Sequence, residues 1–183
     1  MATVTYIRYE SGRNSTPSAL KGVIITVCNR TKPSCRKMYS APRDSTVHPA
    51  LYQEFVATKA AFGKENGDFH HYVQSFSSEE QVTPEEVNAI GRGFAARAFP
   101  EFEVLIATHI DRAHRHNHFI VNSVNPETGK KFHSGLDTLK RFRAISDEIC
   151  MMHGFSPYEK GRSTSSKSMS TASLFAGTVG NSD

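Results

Sequence analysis

Residues 103–124 read EVLIATHIDRAHRHNHFIVNSV, two apolar, β-branched runs separated by a short polar link. Each run has strand length and the link is too short for a crossover, so the segment predicts an antiparallel hairpin. Upstream, Thr83-Pro84-Glu85-Glu86 is a helix start, with a capping threonine, proline at the first position and glutamates in the first turn. Val87, Ile90, Phe94 and Ala98 then give one apolar helical face until Pro100. Before it, FHHYVQSF at 69–76 predicts a strand, and His48-Pro49 opens a helix with Leu51, Phe55, Thr58 and Phe62 at helical spacing. The N-terminal ATVTYIRY predicts another strand, followed by a helix start at residues 14–17 and a helix over 19–28. Downstream, residues 125–129 form a turn, KKFH a short extended piece, and residues 136–152 a helix with Leu139, Phe142, Ile145, Ile149 and Met152 on one face. Gly154 is placed to end that helix. Strands and helices intermix around a hairpin, so the expected class is α+β, a central antiparallel sheet flanked by helices.

The chain has 183 residues, of which 38% are apolar, which suits one domain with a sizeable core and excludes a wholly disordered chain. No apolar run approaches the ~20 residues that span a bilayer, and the N-terminus lacks a signal-peptide core. Cys28, Cys35 and Cys150 are odd in number and form no CxxC pair, so a disulfide scaffold or all-cysteine zinc site is not expected. A reducing, cytoplasmic compartment fits this cysteine usage. Residues 1–158 are expected to form the domain, and the serine- and threonine-rich stretch 159–183 a disordered tail. Residues 29–48, with two prolines and no periodicity, read as a long surface loop.

Charge is unevenly spread. Residues 8–43 carry eight basic side chains, among them Lys21, Arg30, Lys32, Arg36 and Lys37, against Glu10 alone. Such a block suits a phosphate backbone, although a solvated surface has the same composition. Histidine is also clustered: of nine in the chain, His109, His114, His116 and His118 fall within ten residues. His116 and His118 are two apart on a strand and share a face, and the hairpin reversal brings His109 alongside. Three converging imidazoles make a metal site with open positions for water or a substrate oxygen. His114 has the same parity as His116, but it falls in the turn where its direction is least fixed, so His109, His116 and His118 are the assigned ligands. Asp111 can either orient a ligating imidazole or cap the turn. His70 and His71 lie on another strand, where one of them can face the same sheet surface.

HIDRAHRHNHFIVNSVNPETGKKFH at 109–133 resembles the histidine motif of the relaxase/mobilisation nucleases of the HUH endonuclease superfamily. YVQSF at 72–76, TPEE at 83–86, LKGV at 20–23, ISDEIC at 145–150 and the N-terminal MATVTYIR match as well, so the resemblance covers about residues 1–155. It implies a relaxase-like fold and a nuclease that nicks one DNA strand at the transfer origin of a plasmid or conjugative element. It further implies a divalent ion (Mn, Mg or another first-row metal) held by His109, His116 and His118 and polarising the scissile phosphate. Single-stranded DNA and accessory mobilisation proteins are the implied partners, with no membrane role. Nitrogen donors favour Mn, Co, Ni or Zn over Mg on softness.

Relatives place a nucleophilic tyrosine on the first helix, as V-x-x-Tyr, where this chain has Val23-Ile24-Ile25-Thr26. An aliphatic hydroxyl is a far weaker acid than a phenol (pKa about 10) and a poor leaving group when the link is reversed. Three explanations stand open. Tyr39, or else Tyr6 or Tyr9, has taken over; the domain binds DNA without forming the covalent link; or the tyrosine has been substituted. A catalytically silent DNA-binding module is therefore the alternative to a nicking enzyme. A metal hydrolase without nucleic acid is a third possibility, which the basic block disfavours.

Overall fold

Strands β3 (Val104–His109) and β4 (His116–Asn122) pair antiparallel from Val104 opposite Val121 to His109 opposite His116, which is the hairpin expected from residues 103–124. The structure, a computed structural model, describes residues 2–9, 16–28, 48–64, 68–110 and 114–155, the side chains of 48–51 excepted. The remaining elements are β1 (Ala2–Tyr6), α1 (Pro17–Val27), α2 (His48–Ala61), β2 (Phe69–Phe76), α3 (Pro84–Ala98) and α4 (Thr138–Met152). The four strands form one sheet in the order β1-β2-β4-β3, with every neighbouring pair antiparallel. The expected α+β class with a central antiparallel sheet is what the chain adopts. The loop expected at 29–48, apart from His48, lies outside the described residues, as do the tail and the boundary at 158.

Each sheet face carries its own core. On one face Val4, Tyr72, Phe76, Phe119 and Val121 pack with Val87, Ile90 and Phe94 of α3 and Phe142 and Ile149 of α4. On the other, Phe69, Leu105, Ala107 and Ile120 pack with Leu20, Ile24 and Val27 of α1 and Phe55 of α2. Helices on both sides explain why Phe119-Ile120-Val121 of β4 is an unbroken apolar run, since alternate residues enter different cores. The helix starts follow local chemistry: Thr16 accepts a hydrogen bond from the Ala19 amide, and Thr83 with Glu86 makes a reciprocal capping box.

The α4 face differs from the periodic expectation. Phe142 and Ile149 are buried, Leu139 and Ile145 are partly so, and Met152 is 80% exposed. The buried stripe runs through Phe142, Ser146, Ile149 and Cys150 instead. Ser146 is hidden because Gln74 Nε2 donates to its hydroxyl at 2.8 Å, a satisfaction that a count of apolar residues does not register. Phe62 follows the end of α2 and is 37% exposed, next to Gly129.

That bond belongs to a polar seam through the α3/α4 core. Asn117 is wholly buried; its Nδ2 donates to Gln74 Oε1 at 3.1 Å and to the Val87 carbonyl at 2.7 Å. Its Oδ1 accepts from Thr108 Oγ1 at 2.6 Å, and Thr108 in turn accepts from Asn88 Nδ2 at 3.0 Å. The seam thus ties β2, β3, β4, α3 and α4 at one point.

His70 points into the same side, with its ring 4.8 Å from that of Phe132. Burial, opposed by Asp68 and helped by Lys59 and His133, pushes it down to about 4 from 6.5. The unfolded chain therefore takes a proton between pH 6.5 and 4 that the folded chain refuses, and stability falls as pH falls through that window. Relative to His70→Phe, the wild type should lose stability on acidification from pH 6.5 toward 4, with a slope of up to about 1.4 kcal/mol per pH unit. Urea melts of both proteins across that range check it; parallel curves would remove His70 as the cause.

Candidate metal centre

The β4 pleat turns His116 and His118 toward the α1/α2 side, and Asn117 between them toward the other. His109, the last residue of β3, sits opposite His116. The three half-buried rings converge, with centroids 5.0 Å apart for His109–His116, 4.5 Å for His109–His118 and 4.9 Å for His116–His118. One ring nitrogen from each lies within 4.8 Å of the others. Among the described residues this is the one group of histidine, cysteine or acidic side chains that can hold a metal.

Two backbone carbonyls fix where protons sit. His109 Nε2 is 2.7 Å from the Val27 carbonyl at the end of α1, and His116 Nδ1 is 3.0 Å from the His114 carbonyl. A carbonyl only accepts, so each of these nitrogens carries the proton and the other nitrogen of each ring keeps its lone pair. His118 Nδ1 instead meets His71 Nε2 at 2.8 Å, and His71 Nδ1 meets the Tyr9 hydroxyl at 2.5 Å. His71 is buried, and burial, with His109 adding to it, pushes it down to about 4. Burial likewise pushes the Tyr9 phenol up to about 12. His109 and His116, each holding a proton against a carbonyl, keep one lone pair apiece, and with His118 beside them the trio fits a divalent ion with coordination positions to spare.

The other predicted site residues divide by location. Thr26 is exposed in the last turn of α1, one residue before the carbonyl that touches His109. Its hydroxyl donates to the Gly22 carbonyl at 2.8 Å, which engages the proton within the helix and supplies no base. Tyr6 packs against Tyr72 and His70 on the opposite sheet face, so the fold does not bring it to the histidines. Tyr9 is on the histidine side, bonded to His71. Lys21 is exposed on α1, with its ammonium 6.0 Å from the Tyr52 ring centre. Asp111, Tyr39, Arg30, Lys32, Arg36 and Lys37 lie outside the described residues. His114 is exposed in the turn and is not part of the cluster. The partnership of His71 with His118 was not deducible from spacing; the sole hint in the sequence was a histidine doublet in a strand.

Protein rlx of Staphylococcus aureus is 43% identical over 110 residues, 59% of this chain and 33% of that protein. The group II intron-interrupted relaxase LtrB of Lactococcus lactis subsp. cremoris is 39% identical over 105 residues, 50% of this chain and 19% of that protein. This chain thus spans about a third or less of the curated relatives it matches. A solved structure from work on the molecular basis of vancomycin resistance transfer in Staphylococcus aureus superimposes with a TM-score of 0.53 at 11% identity, covering 85% of this chain and 95% of that one. At that identity the likeness is one of fold. The family description "Relaxase: MobA/VirD2-like, nuclease domain" matches residues 27–155, from the end of α1 through α4 and including all three clustered histidines, and the chain accordingly belongs to the MobA/VirD2-like relaxases.

Proposed function

We propose that this domain holds a divalent ion on His109, His116 and His118 and nicks single-stranded DNA by transesterification at a transfer origin during mobilisation. The observation that carries this is the convergence of three imidazoles, two with carbonyl-fixed protons, beside the end of α1 in a relaxase nuclease domain. An ion bound there supplies Lewis-acid polarisation of the scissile phosphate, undiminished by its neutral ligands. The chain's own residues do the rest: the histidines fix the phosphate's place, and Lys21 with Arg30, Lys32, Arg36 and Lys37 grips the strand by charge. Thr26 is not the nucleophile in this mechanism, because its proton is spent on Gly22 and its alkoxide is a poor leaving group. Tyr39, within the basic segment, takes that role.

The engaged Thr26 hydroxyl favours a second function, a silent module that binds DNA and metal without forming a covalent link. Incubation with a single-stranded transfer-origin oligonucleotide and Mn²⁺, followed by denaturing electrophoresis, separates the two. A covalent adduct that disappears in Tyr39→Phe and survives in Thr26→Val is the outcome expected of nicking. Salt-dependent binding with no product from the wild type, combined with an adduct from Thr26→Tyr, is the outcome of the silent module. Cleavage without any adduct would replace both with a metal-activated water.

A further inference from the structure

The three clustered histidines do not have equivalent partners. His109 and His116 each face a backbone carbonyl, which dictates the tautomer whatever else happens. His118 faces an imidazole, and an imidazole can either donate or accept. Its Nδ1 lies 2.8 Å from His71 Nε2, and His71 Nδ1 lies 2.5 Å from the Tyr9 hydroxyl. The His71 ring is held between the Tyr9 ring, 5.9 Å away and nearly parallel, and the His118 ring at 5.1 Å.

A neutral imidazole carries one proton and one lone pair, so this chain of contacts must run in a single direction. If Tyr9 donates to His71, then His71 donates to His118 Nδ1, and the His118 proton is left on Nε2. In that direction His118 has no lone pair to offer. If the direction is reversed, His118 Nδ1–H donates to His71 Nε2, His71 Nδ1–H donates to the Tyr9 oxygen, and the His118 lone pair sits on Nε2. The protein fold allows both, and they differ only in the positions of three protons.

We infer that His71 is a positioning residue for the metal centre: by accepting the Nδ1 proton of His118 it puts the His118 lone pair on Nε2, the form that can ligate, with Tyr9 closing the chain as the acceptor beyond it. This rests on the metal-binding function proposed above. It assigns to His71 the job of orienting an imidazole, one of the two left open for Asp111, and it gives the Tyr9 oxygen, half-buried beside Phe69 and His71, a purpose that does not require it to attack DNA. In that direction the Tyr9 oxygen accepts from His71, and its own proton points away from that ring.

The test is Mn²⁺ titration calorimetry on wild type, His71→Leu, His71→Gln and Tyr9→Phe, with the metal-free melting temperature of each as the fold control. His71→Leu strands the His118 Nδ1 proton and is expected to weaken binding 10- to 100-fold, the usual range for groups behind a ligating histidine. His71→Gln places an amide oxygen near the lost Nε2 and is expected to restore most of that affinity. Tyr9→Phe should cost less than His71→Leu. On the wild type itself, long-range ¹H–¹⁵N spectra of the Zn²⁺-loaded protein should show His71 protonated at Nδ1. A proton on Nε2 of His71 in the loaded protein would overturn the inference, as would His71→Leu binding like wild type or His71→Gln binding as weakly as His71→Leu. A wild type that binds neither ion would overturn the metal function itself, and this role with it.

Discussion

Metal affinity in His118→Ala is expected to fall at least about 100-fold, beyond the 10–100-fold cost of losing a group behind a ligand, and nicking with it. Losing one of three donors leaves a two-histidine site, which cannot both retain the ion and present an open face. The half-buried His118 side chain contributes to neither hydrophobic core. Alanine there leaves buried His71 Nε2 without its partner, so the metal-free protein should lose only the roughly 1–3 kcal/mol of one unpaired buried group. Because the three histidines act as one unit, His116→Ala should be as damaging alone as it is combined with His118→Ala. Calorimetry with Mn²⁺ and the oligonucleotide assay read both quantities. Unchanged metal content in either single variant would mean that the ligands are elsewhere.

The second large effect lies on the opposite face, at Gly91 in α3. A Cβ at Gly91 would stand 2.5 Å from Asn117 Nδ2 and 2.8 Å from its Cγ, well inside contact distance. Asn117 cannot retreat without breaking its bonds to Gln74, Val87 and Thr108. Overpacking and unsatisfied buried groups each cost about 1–3 kcal/mol, and the helix-propensity gain of alanine returns about 1 kcal/mol. A net loss of about 3 kcal/mol is expected for Gly91→Ala, or roughly 6–12 °C in a domain of this size. Gly93, two residues along the same helix, is the control. A Cβ there meets Ile149 at an ordinary 3.5 Å, so Gly93→Ala should be neutral or slightly stabilising. Thermal melts of the pair check the contrast; equal melting temperatures would mean that Asn117 yields freely.

Much of this was legible in the chain because it is local. Thr83-Pro84-Glu85-Glu86 specifies its own helix start through hydrogen bonds within four residues, and the capping box is there. The pairing of His116 with His118 on one face follows from the strand pleat, and the short link determines that His109 returns beside them. What could not be read depends on register between distant segments. His71 reaches His118 because β2 pairs with β4 so that Val73 lies opposite His118 and His71 opposite Ile120. That alignment joins residues 47 apart, and no pattern within either strand encodes it. The Val27 carbonyl beside His109 is likewise a consequence of where α1 lies on the sheet. On α4, Met152 kept the helical period but lies off the buried stripe, whose polar member Ser146 has no hydrophobic signature.

The buried amide of Asn117 has a consequence for how the sheet assembles. Along β4, Phe119 and Val121 enter one core and Ile120 the other, so both sides of the strand are oily. Sliding β4 by one position would exchange one greasy surface for another at small cost, and hydrophobicity alone would tolerate the mistake. The same slip would press His116 and His118 into the α3/α4 core and push Asn117 out to the α1/α2 side, beside His71 and His109. Only in the observed alignment does the Asn117 amide find three partners. It therefore proofreads strand pairing during folding, rejecting the misaligned sheet in which the three imidazoles would never meet.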